Sequence, residues 1–398
     1  LDVPCPDCHA LHWAAEKLST STRSKAKFGI CCNSGKVRLL PLQPLPPQLR
    51  ELLTAQHAQA KEFWENIWKY NQSFTFTSIN AKEDRSVNHG RGEPVFRILG
   101  ELFHCGGLLR PENGRRPTYA QLYIYDPQTA LDTRQSLNAT LNSDTIRVIQ
   151  QTLLAYNPYA AVFRHAHEVL QDRDRDGISD VSVRLRAASL GIGEHKRRGN
   201  LPTADEVAVI ICDSNRENPS NPQDIVLYLR DGGLQIINDL NPAYAPLYYV
   251  LLFPCGELGW HPDLTMHEPG REKPRRLSQT CFVAYRLQVR PQEFLTILHG
   301  KHLLQCYLVD MYASIDQNRL CYLKLNQKKL HAAVYSGLQD ALTAADEEVD
   351  LNQLGKRTIL PSSYIGGPRH MQQRYQDSMA IARHFRHCDL FLTMTCNP

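Results

Sequence analysis

Apolar and polar positions change their period several times along the chain, and each change marks an element. Pro41 to Pro47 forms a proline-rich linker. From Gln48 to Tyr70, Leu49, Leu52, Leu53, Phe63 and Ile67 recur at helical spacing, with Trp64 and Trp68 one turn apart. Two tryptophans so placed read as core or domain-contact residues, not as a base-stacking platform. Phe74 to Ser78 alternates like a strand. Asn157-Pro158 starts a helix carried by Tyr159, Val162, Phe163, Ala166, Val169 and Leu170. Glu206 to Cys212 reads as a buried strand, and Asp224–Arg230 and Leu234–Ile237 flank Asp231-Gly232-Gly233 as a hairpin. Gln279 to Val289 alternates in part and reads as another strand, whereas Pro291 to Ala345 turns helical. Near the end, Pro368 sits at a first helical position. Met371, Tyr375, Met379, Ala382 and Phe385 then line one face, and Leu390 to Thr395 reads as a buried strand.

These elements predict a multidomain α+β chain. The expected parts are a small module over residues 1–40, an α+β domain over 41–170, a β-rich domain over 171–290, a helical segment over 291–388 and a strand within 389–398. A length of 398 residues has room for two or three cores. An apolar share of 42% and a charged share of 22% are ordinary for globular proteins. The net charge of +4 is too small to require a nucleic-acid partner. Local runs are more basic: Arg23, Lys25 and Lys27; His195 to Arg198; Arg271, Lys273, Arg275 and Arg276; Lys324, Lys328 and Lys329. Such runs suit phosphates, although most are simply solvated faces.

No apolar run reaches the roughly 20 residues a membrane helix needs, and LDVPCPDCHA is not a signal peptide. The missing initiator methionine reads as a fragment or a mis-started gene. Eight of the 12 cysteines are scattered singly through apolar segments, which reads as reduced, buried thiols inside a cell.

The other four cysteines carry the main candidate chemistry. Cys5-Pro-Asp-Cys8 is answered by Cys31-Cys32, and the segment between is polar. So short a segment has little core and needs a staple. Four thiolates around one zinc would supply it, since Cys-x-x-Cys brings two sulfurs to a tetrahedral ion. Adjacent side chains usually point apart, so Cys31 or Cys32 could instead face the core, with His9 or His12 as fourth ligand. The basic Lys25 and Lys27 in this segment make DNA the first partner to consider, with protein partners equally compatible.

Several further patterns are weaker. Arg164-His165-Ala166-His167 spells a metal-binding pair, but on a helix residues two apart point roughly 200° apart and cannot share an ion. Asp172, Asp174, Asp176 and Gly177 space like a calcium loop, but the twelfth position is Val183 and not Glu. His104, between a strand-like run and Gly106-Gly107, reads as a hydrogen-bonded structural residue. Cys255 with His261 nearby offers a nucleophile and a base, yet nearness along the chain is poor evidence of nearness in space. The chain contains no Gly-x-Ser-x-Gly and no phosphate-binding glycine loop with lysine.

Many separated blocks resemble the Helitron transposases: YNQSFTFTS, FRILGELFHCGGLL, YAQLYIYD, PAYAPLYYVLLFPCGELGWH, VDMYASIDQNRLCYLKLNQKKLHAAVYSGLQDAL, LPSSYIGGPRHMQQRYQDSMAI and DLFLTMTCNP. The amino-terminal Cys-x-x-Cys and the later Cys31-Cys32-Asn-Ser-Gly35 are similar to that family's zinc-containing region. The resemblance implies that Phe391 to Thr395 is the first strand of an HUH rolling-circle nuclease sheet. It also implies that the nuclease histidines, the nucleophilic tyrosine and the ATP loop of the helicase lie beyond Pro398, so no catalytic residue is expected here. Structural zinc is the implied cofactor, with a divalent ion and ATP only in the absent part. A nuclear, non-catalytic piece that positions single-stranded or transposon-end DNA follows. Arg369 and Arg374, flanking the apolar helix, are candidate phosphate contacts. The alternative is a co-opted fragment acting as a zinc-containing protein-interaction module.

Overall fold

A helix needs an apolar face and a start signal, and the first helices have both. A computed structural model describes residues 2–22, 26–83, 98–106, 116–164, 181–185, 209–213, 225–228, 235–327 and 360–385. The helical stretch expected from Gln48 to Tyr70 is two helices, α1 (Pro47–Thr54) and α2 (Ala58–Phe74). The break falls at His57, whose ring nitrogen accepts the Ala60 N–H as an N-cap. Leu49, Leu52 and Leu53 of α1 and Phe63, Ile67, Tyr70 and Phe74 of α2 are buried. Phe74 therefore closes a helix, and the strand expected there starts later, as β3 (Ser78–Glu83). Trp64 donates to the Leu52 carbonyl at 2.7 Å and packs on the core, while Trp68 is exposed.

Asp126 and Asn142 cap α3 (Pro127–Leu137) and α4 (Ser143–Tyr156), each accepting two backbone N–H groups. Residues 158–164 form α5, as the Asn157-Pro158 start predicts, with the Asn157 side chain accepting from Tyr159 N. His165, His167 and the aspartate run after them lie outside the described residues. The main core joins α1, α2, α4 and α5 through Leu49, Leu52, Phe63, Phe74, Ile149, Leu153, Tyr159 and Phe163.

Two strands, β1 (Val3–Pro4) and β2 (Leu11–His12), pair antiparallel at the amino terminus. Two three-stranded antiparallel sheets follow. One has the order β3–β4–β8, with β4 at Ile98–Gly106 and β8 at Gln235–Ile237. The other has the order β6–β5–β7, with β5 at Val181–Leu185, β6 at Val209–Asp213 and β7 at Ile225–Tyr228. The strands on either side of Asp231-Gly232-Gly233 thus exist, but they do not form the expected hairpin. β7 pairs with β5, and β8 crosses to β4.

After Ile237 the described chain becomes turns and helices. The apolar run from Tyr249 to Phe253 is buried in turns. Gln279 to Val289, expected as a strand, is instead helix α7 (Gln279–Arg286), following the short α6 (Tyr244–Tyr248). The Ser278 hydroxyl accepts the Cys281 N–H, and Gln279, Phe282, Val283 and Arg286 are buried at steps of three and four. Over eight residues a helical period and a broken alternation place apolar residues almost alike. The long helix α8 (His302–Leu325) and α9 (Pro368–Phe385) follow, the latter opening at Pro368 as expected. The chain divides into two compact units, Leu1–Ser314 and Ile315–Pro398. The expected strand at Leu390 to Thr395 lies outside the described residues.

Candidate metal centre

Two tight turns build the cysteine site. In the first, His9 adopts a φ of 58° and its N–H returns to the Cys5 carbonyl at 2.9 Å, folding Cys5 and Cys8 towards each other. In the second, Asn33, Ser34 and Gly35 have φ values of 49°, 57° and 79°, so three successive residues are left-handed. That reversal sends the Gly35 N–H back to Cys32 Sγ at 3.2 Å. A Cβ on Gly35 would meet the Asp7 side chain at an ordinary contact distance of 3.4 Å, so it is the left-handed φ that favours glycine here.

The outcome decides the question left open by the adjacent cysteines: Cys31 and Cys32 both face inward. The sulfurs of Cys5, Cys8, Cys31 and Cys32 all lie within 4.8 Å of one another. Cys5 and Cys32 are 3.7 Å apart, and Cys31 and Cys32 are 3.8 Å apart. A tetrahedron with zinc–sulfur arms of about 2.3 Å has edges of about 3.8 Å. The donor set and its spacing therefore fit a tetrahedral metal ion. His12 is not part of the cluster. It is buried, its Nδ1 lies 2.7 Å from Glu16 Oε2, and its ring stacks on Phe28 at 4.0 Å.

Protons are shared within the thiol set. Hydrogen bonding from Cys31, then Cys32, draws Cys8 well below the usual thiol range, and hydrogen bonding to Cys32 and Cys8 drives Cys31 up. Four sulfurs this close cannot all be thiolates without a cation; a divalent ion would replace the shared protons.

The module is fastened to the segment that follows. Leu11 N donates to Val289 O at 2.9 Å, and His267 N to Lys36 O at 2.7 Å. Arg286 donates to Leu40 O at 2.7 Å, and Arg290 Nε to Cys8 O at 3.2 Å. The composition of the first 40 residues holds no hint of these partners, since Arg290 is 282 positions from Cys8.

Of the candidate DNA contacts, Lys25 lies outside the described residues, Lys27 is exposed, and Arg369 and Arg374 lie on α9. Arg374 Nε stands 3.4 Å from the His370 ring, and Arg374 is exposed. The basic run at Arg271 to Arg276 is partly neutralised: Arg275 and Arg271 both pair with Glu268, and the Arg275 hydrogen bond holds that carboxyl down to about 2.

His104 is the structural residue expected. It is fully buried on β4, with Nδ1 3.2 Å from Tyr244 O, Nε2 3.0 Å from Asp310 Oδ2, and its ring stacked on Tyr244 at 3.7 Å. Asp310 also accepts from the hydroxyls of Tyr244 at 2.9 Å and Tyr249 at 3.0 Å. Burial, then the Asp310 charge, pushes both hydroxyls up, so they remain donors. Cys255 is not poised as a nucleophile. Burial and then Glu257 push its thiol up to about 12, so it stays protonated at neutral pH.

Among the described residues no helix is long and apolar enough to cross a membrane. No curated protein matches this chain. The family model for the Helitron helicase-like domain at the N-terminus matches residues 282–398, the stretch that holds most of α7, Arg290, α8 and α9. Over those residues the chain is similar to the Helitron helicase-like N-terminal domain.

Proposed function

We propose that the chain is a zinc-containing, non-catalytic portion of a Helitron-type rolling-circle transposase that positions single-stranded or transposon-end DNA in the nucleus. The family match over residues 282–398 carries this reading. The cysteine tetrad would hold structural zinc, whose role is to fix the two amino-terminal turns. Lys25 and Lys27 beside it, and Arg369 and Arg374 on α9, would neutralise phosphates.

Binding of the full chain to a fluorescent single strand, measured across a salt series, tests this. Each phosphate contact on a single strand contributes roughly −0.7 to the slope of log K against log salt. The double variant Arg369→Gln/Arg374→Gln should therefore flatten the slope by about 1.4. Affinity that ignores salt, or a slope unchanged in the double variant, refutes the assignment.

The protein-interaction alternative has one observation in its favour. On α9, Met371, Tyr375, Ile381 and Phe385 are exposed. A zinc-loaded chain that ignores DNA at every salt concentration, yet loses a protein partner on Met371→Asp, supports this alternative.

A further inference from the structure

A zinc ion held by four thiolates is a doubly negative centre, and a buried anionic centre needs donors or a counter-charge beside it. Cys5, Cys31 and Cys32 are buried and Cys8 is half-buried. Arg290, only 4% exposed, stands against this last cysteine. Its Nε donates to Cys8 O at 3.2 Å and its second terminal nitrogen lies 4.0 Å from Cys8 Sγ. Its other terminal nitrogen donates to Tyr285 O at 3.0 Å, and the guanidinium lies 3.9 Å from the centre of the Tyr285 ring. Tyr285 itself packs on the cysteine cluster. The planar fork is thus fixed on one side by the last turn of α7 and aimed at the cluster on the other, a geometry lysine cannot copy.

Resting on the zinc reading above, we infer that Arg290 is the positioning and charge-compensating residue of the metal centre, contributed by the Helitron-like region to the amino-terminal cysteines. Two consequences follow. The centre is completed only when residues 1–40 are docked on the segment that ends at Arg290. Metal loading and the conformation of the turn at Tyr285 to Arg290 therefore depend on each other. Partners of this kind around a metal typically change its affinity by 10- to 100-fold.

The test uses the full chain loaded with zinc and times release to a chromophoric chelator. Circular dichroism checks the fold, and the cobalt-substituted spectrum counts thiolate ligands. Arg290→Ala should release zinc roughly 10- to 100-fold faster than wild type while keeping a four-thiolate cobalt spectrum. Arg290→Gln, which keeps the volume and some hydrogen bonding without the charge, should be similarly fast and serves if the alanine variant does not fold. Arg290→Lys should recover part of the slow release. Arg286→Ala, which removes the contact to Leu40 away from the sulfurs and so only loosens docking, should speed release clearly less than Arg290→Gln. Wild-type release from a folded Arg290→Gln chain overturns the inference. So does equal acceleration in Arg286→Ala, which would reduce the effect to looser docking, or a lysine variant no slower than glutamine. A wild-type chain without zinc or a four-thiolate cobalt spectrum defeats the metal reading itself, a failure distinct from a wild-type chain that binds zinc but is indifferent to Arg290.

Discussion

Replacing Asp310 by alanine removes the acceptor on which three buried donors converge. The hydroxyls of Tyr244 and Tyr249 reach its two oxygens at 2.9 and 3.0 Å, and His104 Nε2 lies 3.0 Å from Oδ2. His104 Nδ1 faces the Tyr244 carbonyl at 3.2 Å, so the ring is held between that carbonyl and Asp310. The side chains of His104 and Asp310 are 0% and 3% exposed, so water does not reach the pair in the folded chain. The Tyr249 hydroxyl keeps the Cys306 carbonyl at 3.2 Å, so the Tyr244 hydroxyl and His104 Nε2 are the groups left without this partner. Each stranded buried polar group costs about 1–3 kcal/mol. Some water will enter the space vacated, so the expected destabilisation is about 2–5 kcal/mol. That is a large share of the roughly 5–15 kcal/mol typical of a folded domain. Asp310→Asn keeps one oxygen for a tyrosine hydroxyl and should cost less than alanine. Urea unfolding followed by tryptophan fluorescence, with zinc held in excess, reads both values. An Asp310→Ala cost below about 1 kcal/mol would refute the reasoning, because donors that need no partner are donors already in contact with water.

Two other outcomes follow from single residues. Gly35→Ala forces a side chain onto a φ of 79° with a neighbour at 3.4 Å. A left-handed alanine costs about 1–2 kcal/mol, so the zinc-bound chain should lose about that much stability in thermal unfolding, and an unchanged midpoint would mean the turn is built otherwise. Burial raises the Glu257 pKa above the ordinary carboxylate value, and its Oε2 lacks a partner. Its contribution to stability is therefore present below the unfolded value of about 4.3 and lost as pH rises through the folded value. Glu257→Gln should leave stability at pH 4 near wild type and raise it at pH 8; a gain of equal size at both pH values would show that ionisation of Glu257 is not the cause.

What could be read along the chain was whatever short-range geometry decides. Pro368 and the repeat from Met371 to Phe385 specify α9 because capping and helical period act within a few residues. Cys5-x-x-Cys8 announced half of a metal site for the same reason. Even α7 left a local sign, Ser278 at its N-cap, although its eight residues were too few for the period to outweigh the apparent alternation. Tertiary structure decided everything that depends on distant partners. Sequence placed strands on both sides of Asp231-Gly232-Gly233, but only packing could put β7 beside β5 and β8 beside β4. Whether Cys31 and Cys32 both turn inward depended on three left-handed residues whose cost the closed cluster offsets. His104 and Asp310, 206 residues apart, and Cys8 and Arg290, 282 apart, meet because hydrogen bonds and charges are satisfied by position in space, which no local spacing encodes.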